Sequence, residues 1–310
     1  MLARPGLPSF DYVRAASADD ACRLLQEDGV GVKLMAGGTD LFPRMRNELL
    51  CPKLVVDVKG IPGLREIAFD ARGGLTIGAA VSLNRLAVDA SVQSHFPLLA
   101  EAANSVASYQ LRNRATLGGN LCNGSPAADM APAALCLDAE VVLYSLAGLR
   151  TLRVRDLFVG PGTTAMAAGE LMLAVRFPIP EVGGRGRYAK LGRNRAGDLA
   201  IVGVAVYGWP DQSCAAGCSF RIGLASVAPT PLRARSAEEV LAQDLLTPHR
   251  LKAAADAAAE STSPIDDMRA SAAYRKDMVR NLVLRSLQDL TAQMRYAKAN
   301  PRPGRCQEEA

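Results

Sequence analysis

Two glycine pairs, each followed by short polar side chains, constrain the fold of this 310-residue chain more than any other feature. The first lies in residues 34–41, LMAGGTDL, and the second in residues 116–129, TLGGNLCNGSPAAD. Glycine has no Cβ, so the backbone N–H groups of such segments can converge on a bound anion. Two segments on opposite sides of one ligand could hold a diphosphate without a metal ion. The pattern therefore predicts a dinucleotide site.

The glycine patterns argue against two common kinds of nucleotide site. The chain contains neither the G-x-G-x-x-G fingerprint of a Rossmann domain nor the G-x-x-x-x-G-K-[ST] pattern of a P-loop. Kinase, ATPase and ordinary nicotinamide-dehydrogenase functions are therefore excluded. In the first segment we expect backbone amides and the Thr39 hydroxyl to bind phosphate oxygens. Asp40 would be repelled by a phosphate, and we expect it to cap the following helix instead.

The second segment offers both donors and an acceptor. Thr116, Asn120 and Ser125 supply short donor side chains beside the glycine pair. Asp129 only accepts hydrogen bonds when it is ionised, so it suits a ribose or ribityl hydroxyl. It could equally cap the helix that is predicted to begin at Met130.

Composition is that of an ordinary globular protein, with 49% hydrophobic and 22% charged residues. The net charge of +5 is spread without a basic block, which argues against nucleic-acid binding. No run of 18 or more apolar residues and no signal-peptide pattern occurs, so we expect a cytoplasmic protein with no membrane span. The 7 cysteines include no C-x-x-C pair, so we expect no zinc or iron–sulfur cluster on this chain.

Hydrophobic periodicity predicts an α+β chain with a boundary in the proline- and glycine-rich stretch 178–186. Helices are predicted over 17–25, 41–50, 82–88, 97–106, 130–137, 236–243, 248–260 and 273–295. Strands are predicted over 30–36, 54–58, 75–79, 140–144, 171–177, 187–191, 200–209 and 219–224.

The chain resembles the FAD-binding (medium) subunit of the xanthine dehydrogenase family of molybdenum hydroxylases, to which the carbon monoxide dehydrogenase flavoprotein also belongs. The segments that carry the resemblance follow one another from about Phe10 to Arg285. They are residues 36–41, 112–120, 125–129, 188–191, Arg193 with 198–200, and a C-terminal helix over 274–285.

This resemblance implies a two-part FAD-binding domain of the vanillyl-alcohol-oxidase (PCMH-like) type over residues 1–178, divided at about residue 58. A smaller α+β domain of the carbon monoxide dehydrogenase flavoprotein type would cover residues 185–295. We expect residues 296–310 to form a disordered tail.

The resemblance also implies roles for individual residues. The two glycine segments would enclose the FAD diphosphate, and Asp129 would hold a sugar or ribityl hydroxyl. Lys190 would contact the flavin, the alternative being an ordinary surface lysine, and Leu199 would pack on one flavin face. The full set of predicted FAD-binding residues is Leu34, Met35, Ala36, Gly37, Gly38, Thr39, Asp40, Leu41, Tyr109, Thr116, Gly118, Gly119, Asn120, Ser125, Asp129, Leu171, Leu173, Lys190 and Leu199. Leu171 and Leu173 would lie near the adenine or the ring system, and Tyr109 could instead belong to the core.

FAD should be non-covalent, because neither His95 nor His249 lies in a flavin motif. Cys122 stands where some relatives insert an extra iron–sulfur cluster, but no further cysteines cluster near it. The resemblance places two [2Fe–2S] clusters on a small partner subunit and molybdopterin on a large one, in a dimer of heterotrimers. Electrons would pass from the substrate through the clusters to FAD and on to an external acceptor.

Several alternatives remain open at this point. The chain could be a stand-alone FAD-dependent oxidoreductase on the same fold, or a non-catalytic flavin-binding scaffold. The resemblance is compatible with carbon monoxide, a purine, an N-heterocycle, an aldehyde or an aromatic acyl-CoA as the substrate of the complex. Nicotinamide, quinone, ferredoxin and oxygen are all compatible acceptors.

Overall fold

A computed structural model describes residues 6–27, 29–194 and 197–299 of the chain. Its first element group is a three-stranded parallel sheet whose central strand is the last of the three in the sequence. The strands are β1 (Asp11–Arg14), β2 (Val32–Met35) and β3 (Leu54–Asp57), and the helices between them are α1 (Ala18–Glu27) and α2 (Leu41–Arg46), with a 3-10 turn at Gly29–Gly31. The first glycine segment joins β2 to α2, and thus begins at the carboxyl end of a parallel strand.

Two elements of this group differ from the prediction, each for a local reason. Helix α2 was predicted to reach residue 50, but it ends at Arg46, and Glu48 adopts a left-handed φ of 57° that an α-helix cannot contain. Strand β1 was not predicted, because its four side chains are all exposed and show no alternation of apolar and polar residues.

The second element group is a five-stranded antiparallel sheet covered by short helices. Its strands, in spatial order, are β4 (Ile67–Asp70), β5 (Gly74–Gly78), β10 (Leu171–Phe177), β6 (Glu140–Ser145) and β7 (Gly148–Arg153). The helices are α3 (Leu83–Val88), α4 (Ala90–His95), α5 (Pro97–Ser105), α6 (Tyr109–Arg112), α7 (Leu117–Cys122), α8 (Met130–Cys136) and α9 (Val154–Leu157), and a small hairpin pairs β8 (Phe158–Gly160) with β9 (Thr163–Thr164). The core between sheet and helices contains the fully buried Ile77, Leu99, Leu117 and Val175.

The third element group is a four-stranded antiparallel sheet with three helices. The strands run in the order β11 (Arg185–Leu191), β12 (Val202–Pro210), β13 (Cys218–Ala225) and β14 (Leu232–Arg233), followed by α10 (Arg235–Ala242), α11 (Pro248–Glu260) and α12 (Ala272–Ala299). One face of the sheet packs on these helices, where Val204 and Leu224 share a core with Ala254 and Val283.

The other face of this sheet packs against helix α8 of the preceding group. The thiol of Cys136 lies 3.5 Å from the carbonyl oxygen of Ala205, and a Cβ on Gly223 would overlap the carbonyl of Pro132. Strand β12 is therefore buried on both faces, which explains why its sequence, VGVAVYGWP, is apolar almost throughout instead of alternating.

The mixed α+β architecture agrees with the predicted fold class, whereas the domain limits at residues 58, 178, 185 and 295 stay a proposal. Helix α12 continues to Ala299, beyond its predicted end at Arg295, and residues 300–310 of the predicted tail lie outside the described residues. Within the described residues, every helix is too short or too polar to cross a bilayer.

Candidate functional site

The two glycine segments lie side by side in the folded chain. A Cβ on Gly37 would overlap the carbonyl oxygen of Arg114, two residues before Thr116. Thr116 in turn forms a β-bridge with Ser82, which lies between β5 and α3. The second segment is therefore fixed to the stretch of chain that follows β5. Segments that are far apart in the sequence thus form two walls of one site.

The first glycine segment presents a run of unpaired backbone donors. The N–H groups of the five consecutive residues 37–41 donate to no acceptor among the residues that the structure describes. Gly38 has a φ of 75°, in the left-handed region that favours glycine and that occurs in anion-binding nests of main-chain N–H groups. Unpaired amides in such a run need an external acceptor, either water or a bound anion.

Residues 117–122 of the second glycine segment form helix α7, which was not among the predicted helices. Thr116 is the N-cap of α7, and its Oγ1 accepts a hydrogen bond from the N–H of Gly119 at 3.0 Å. The N–H groups of Leu117 and Gly118 donate to the carbonyls of Val81 and Ala79. The main-chain donors at the start of α7 are therefore already paired, unlike those of the first segment.

The glycines of the second segment serve different purposes. A Cβ on Gly118 would lie 2.7 Å from the Ala79 carbonyl oxygen, so Gly118 is required for close packing. A Cβ on Gly119 would meet only the Thr116 Oγ1, at 2.9 Å, and Gly119 lines the open space between the segments. Only Gly119 of this pair thus leaves room for a ligand.

A cleft of about 610 Å³ lies between the two segments, within the size range of nucleotide and cofactor sites. It brings together most of the predicted site residues. Those that line it are Leu34, Met35, Ala36, Gly37, Gly38, Thr39, Asp40, Leu41, Thr116, Gly119, Asn120, Ser125, Asp129 and Leu199.

Five predicted site residues lie outside the wall of the cleft, namely Tyr109, Gly118, Leu171, Leu173 and Lys190. Leu171 is buried in the core between the first two sheets, and Leu173 packs against the same core. Tyr109 is 63% exposed at the start of α6, so the alternative of a core tyrosine was wrong.

Asp129 is held by two side chains from strand β11. Its Oδ1 accepts a hydrogen bond from the Tyr188 hydroxyl at 2.7 Å, and its Oδ2 pairs with the Lys190 ammonium at 2.7 Å. Lys190 also donates to the Ser105 carbonyl at 3.1 Å. Burial raises the pKa of the Asp129 carboxyl, while Lys190 and Tyr188 act in the opposite direction.

Three alternatives considered from the sequence are corrected by this geometry. Asp129 makes no capping hydrogen bond to α8; its carboxylate oxygens accept hydrogen bonds from Tyr188 and Lys190 of β11 instead. Lys190 is not a free surface lysine, since its side chain is only 13% exposed. Asp40 precedes α2 with a helical backbone conformation and no capping hydrogen bond, so the expected cap is absent there.

The wall of the cleft also contains residues that were not among the predicted FAD-binding residues. They are Lys33, Arg44, Leu50, Val106, Ala107, Leu111, Ala115, Cys122, Asn123, Ala127, Ala128, Gly162, Gly197 and Asp198. Asp198 pairs with Arg193 at 3.2 Å, and this contact lowers the pKa of Asp198 to about 2. The sequence could have indicated Arg44 as a cleft residue only by its position one turn after Leu41, on a helix that begins in the glycine segment.

The fold and the cleft together give an α+β protein with a candidate nucleotide site between two glycine segments. Comparison with known proteins then gives the family. Residues 8–180 match the FAD binding domain in molybdopterin dehydrogenase, and residues 187–290 match the CO dehydrogenase flavoprotein C-terminal domain.

Individual relatives are similar along nearly their whole length. The nicotine 6-hydroxylase medium subunit of Paenarthrobacter nicotinovorans is 36% identical over 285 residues, which covers 91% of this chain and 97% of the relative. The carbon monoxide dehydrogenase medium chain of Hydrogenophaga pseudoflava is 35% identical over 280 residues, with 90% and 96% covered.

Solved structures give the same result. Carbon monoxide dehydrogenase from Hydrogenophaga pseudoflava superposes with a TM-score of 0.87 at 36% identity, covering 91% of this chain and 97% of that chain. Quinoline 2-oxidoreductase from Pseudomonas putida 86 superposes with a TM-score of 0.84 at 28% identity, covering 92% and 97%. The chain belongs to the FAD-binding medium subunits of the molybdopterin hydroxylases, the family of carbon monoxide dehydrogenase and xanthine dehydrogenase.

Proposed function

We propose that this chain binds FAD non-covalently in the cleft and relays electrons within a molybdenum hydroxylase complex. Electrons would come from the [2Fe–2S] clusters of a small subunit, and a large molybdopterin subunit would oxidise the substrate. Bound FAD supplies the redox chemistry that passes these electrons to an external acceptor. The residues of this chain bind and orient the cofactor.

The observation that carries this proposal is the run of unpaired amides at residues 37–41. A diphosphate offers the several acceptor oxygens that such a run requires, and it needs no metal when main-chain amides surround it. Gly119, on the facing wall, leaves space for the same group, because a Cβ there would have no neighbour within 4 Å except the Thr116 Oγ1.

The remaining walls suit the other parts of FAD. Asp129 is an acceptor and would repel phosphate, so it would bind a hydroxyl or N–H donor of the cofactor. Leu199 is 58% exposed beside the cleft and offers an apolar contact for a planar ring. His95 stacks on Phe69 at 4.1 Å between ring centroids, and neither His95 nor His249 lines the cleft, which supports non-covalent binding.

The partners and location are also part of this proposal. Nearly full-length similarity to medium chains of multisubunit dehydrogenases supports a small iron–sulfur partner and a large molybdopterin partner, and we extend this to a dimer of heterotrimers in the cytoplasm. The same similarity favours this function over a stand-alone oxidoreductase or a scaffold.

Purification by a tag on this chain tests the proposal. From its native host, the tagged chain should bring down FAD, molybdenum and iron together. Expressed alone, it should bind FAD without molybdenum or iron and should not oxidise hypoxanthine, nicotine or carbon monoxide. A tagged chain that purifies alone from its host and oxidises a substrate would instead establish a stand-alone enzyme, and a colourless one that takes up no FAD would establish a scaffold.

A further inference from the structure

The Asp129 carboxylate lies at the junction between the cleft and the interior of the protein. It lines the cleft but is only 4% exposed, and its two bonded partners, Tyr188 and Lys190, both approach from β11 behind it. Each carboxylate oxygen has two acceptor lone pairs, so one donor on each oxygen leaves further accepting capacity for a ligand.

Tyr188 is enclosed in the core by the strand beside it. Its ring is 5% exposed within the core, and a Cβ on Gly203 of the neighbouring strand would lie 2.7 Å from the Tyr188 hydroxyl. The hydroxyl therefore has little freedom to move away from Asp129. Because Tyr188 itself does not line the cleft, any effect on a ligand must pass through Asp129.

We propose that Tyr188 is a positioning residue for the cofactor. Its hydroxyl orients the Asp129 carboxylate so that the remaining lone pairs face a hydroxyl or N–H donor of FAD. Lys190 balances the charge of the same carboxylate and, through Ser105, ties it to the end of α5. This inference rests on the proposed function, since it assumes that FAD is the ligand of the cleft.

The matched control is Tyr207 on the adjacent strand β12. It is 4% exposed, similar to Tyr188, but its hydroxyl has no hydrogen-bond partner among the described residues and it does not line the cleft. Tyr188→Phe and Tyr207→Phe thus each remove one buried hydroxyl, and only the first removes a donor to Asp129.

The test measures the FAD dissociation constant of the purified chain by flavin fluorescence, with urea unfolding as a check on folding. Tyr188→Phe should raise the dissociation constant by about tenfold, the amount expected for one hydrogen bond to a charged group. Tyr207→Phe should leave it within about twofold. Equal dissociation constants for the two variants would overturn the proposal.

A double-mutant cycle with Asp129→Asn separates positioning from a general packing effect. If Tyr188 acts through Asp129, the Tyr188→Phe change should have much less effect on FAD binding once Asp129 is Asn. Additive losses would overturn the proposal, and if Asp129→Asn does not fold, the comparison of the two tyrosine variants decides alone. A wild-type chain that binds no FAD would overturn the proposed function itself, whereas normal binding with an ineffective Tyr188→Phe overturns only the role of Tyr188.

Discussion

Gly37 packs directly against Arg114, two residues before the second glycine segment, because the missing side chain of Gly37 leaves the space that the Arg114 carbonyl occupies. The first segment follows a strand of the parallel sheet, and the second contains helix α7, which packs on the antiparallel sheet. Their contact makes the cleft a single site with an amide-rich wall and a side-chain wall. The same relationship explains why a glycine is required at position 37 for reasons other than ligand binding.

Substitution of Gly37 should therefore affect folding as well as FAD binding. Gly37→Ala places a methyl group against fixed backbone and should lower the free energy of unfolding by about 1–3 kcal/mol. Gly160→Ala is the control, since its nearest atom would be 4.0 Å away. Urea unfolding of the FAD-free proteins measures both, and equal stabilities would contradict the close contact.

Loss of the Lys190 ammonium should leave Asp129 buried without its counter-charge. Lys190→Met should lower the free energy of unfolding by roughly 3–5 kcal/mol at neutral pH, as breaking a buried ion pair does. In this variant burial raises the pKa of Asp129 in the folded chain above its value in the unfolded chain. The neutral carboxyl is then favoured in the fold, so the deficit should be small at low pH and grow as the pH rises through the raised pKa.

Urea unfolding at about pH 4.5 and about pH 8 measures this effect, because buried carboxyls titrate between these values. Lys252→Met is the control, because Lys252 is 69% exposed and its pairing with Asp256 at 3.8 Å should contribute about 0–1 kcal/mol. A deficit of Lys190→Met that does not depend on pH would show that Asp129 is not the group left unpaired.

The guanidinium of Arg275 should be irreplaceable by lysine. Its Nη1 donates to the carbonyls of Ile201 and Ser226 at 2.6 and 3.0 Å, and its Nη2 pairs with Asp267 at 2.8 Å. A single ammonium cannot reproduce this fork, so Arg275→Lys should cost about 1.5–3 kcal/mol for each bond to the charged group that it loses.

The exposed Arg280 provides a comparison, since its side chain is 37% exposed and Arg280→Lys should be nearly neutral. Urea unfolding of the two variants is the measurement. Similar stabilities for Arg275→Lys and Arg280→Lys would contradict the role assigned to the buried guanidinium.

The Asp198–Arg193 pair should make the protein sensitive to acid. Arg193 is the main cause of the lowered pKa of Asp198, about 2 against an ordinary value of 3.8. A carboxylate whose pKa is lowered in the folded chain stabilises the fold at pH values above its ordinary pKa of 3.8. This stability is lost as the pH falls from 3.8 through about 2. Asp198→Asn should reduce the pH dependence of the melting temperature in this window.

Arg193→Gln should also reduce the pH dependence of the melting temperature, because it removes the cation that lowers the pKa of Asp198. Melting curves between these pH values compare the three proteins. Unchanged acid sensitivity in both variants would contradict the coupling of the two side chains.

The glycine segments were predictable from the sequence because both combine glycine pairs with short polar residues in a fixed order. Strand β12 was also predictable, since burial on both faces produces an uninterrupted apolar run. The family resemblance added that both segments enclose the same FAD diphosphate, which the local pattern of either segment does not show. The comparisons confirmed the family and the α+β class.

The parts that sequence reasoning missed depend on contacts between distant residues. Lys190 and Asp129 are 61 residues apart, and nothing local indicates that one neutralises the other. The helix at 117–122 was not predicted because its two glycines are poor helix formers, but the Thr116 cap and the buried Leu117 and Leu121 stabilise it. Exposed strand β1 carries no pattern at all.

The central claim is that FAD binds between the unpaired amides of residues 37–41 and the surface of Gly119. The most direct test is the ratio of FAD to protein after gel filtration of the chain and of Gly119→Val, with Gly160→Val as the control. We expect about one FAD per chain for the wild type and the control, released intact on denaturation, and almost none for a correctly folded Gly119→Val. Full FAD occupancy in Gly119→Val, or none in the wild type, would contradict it.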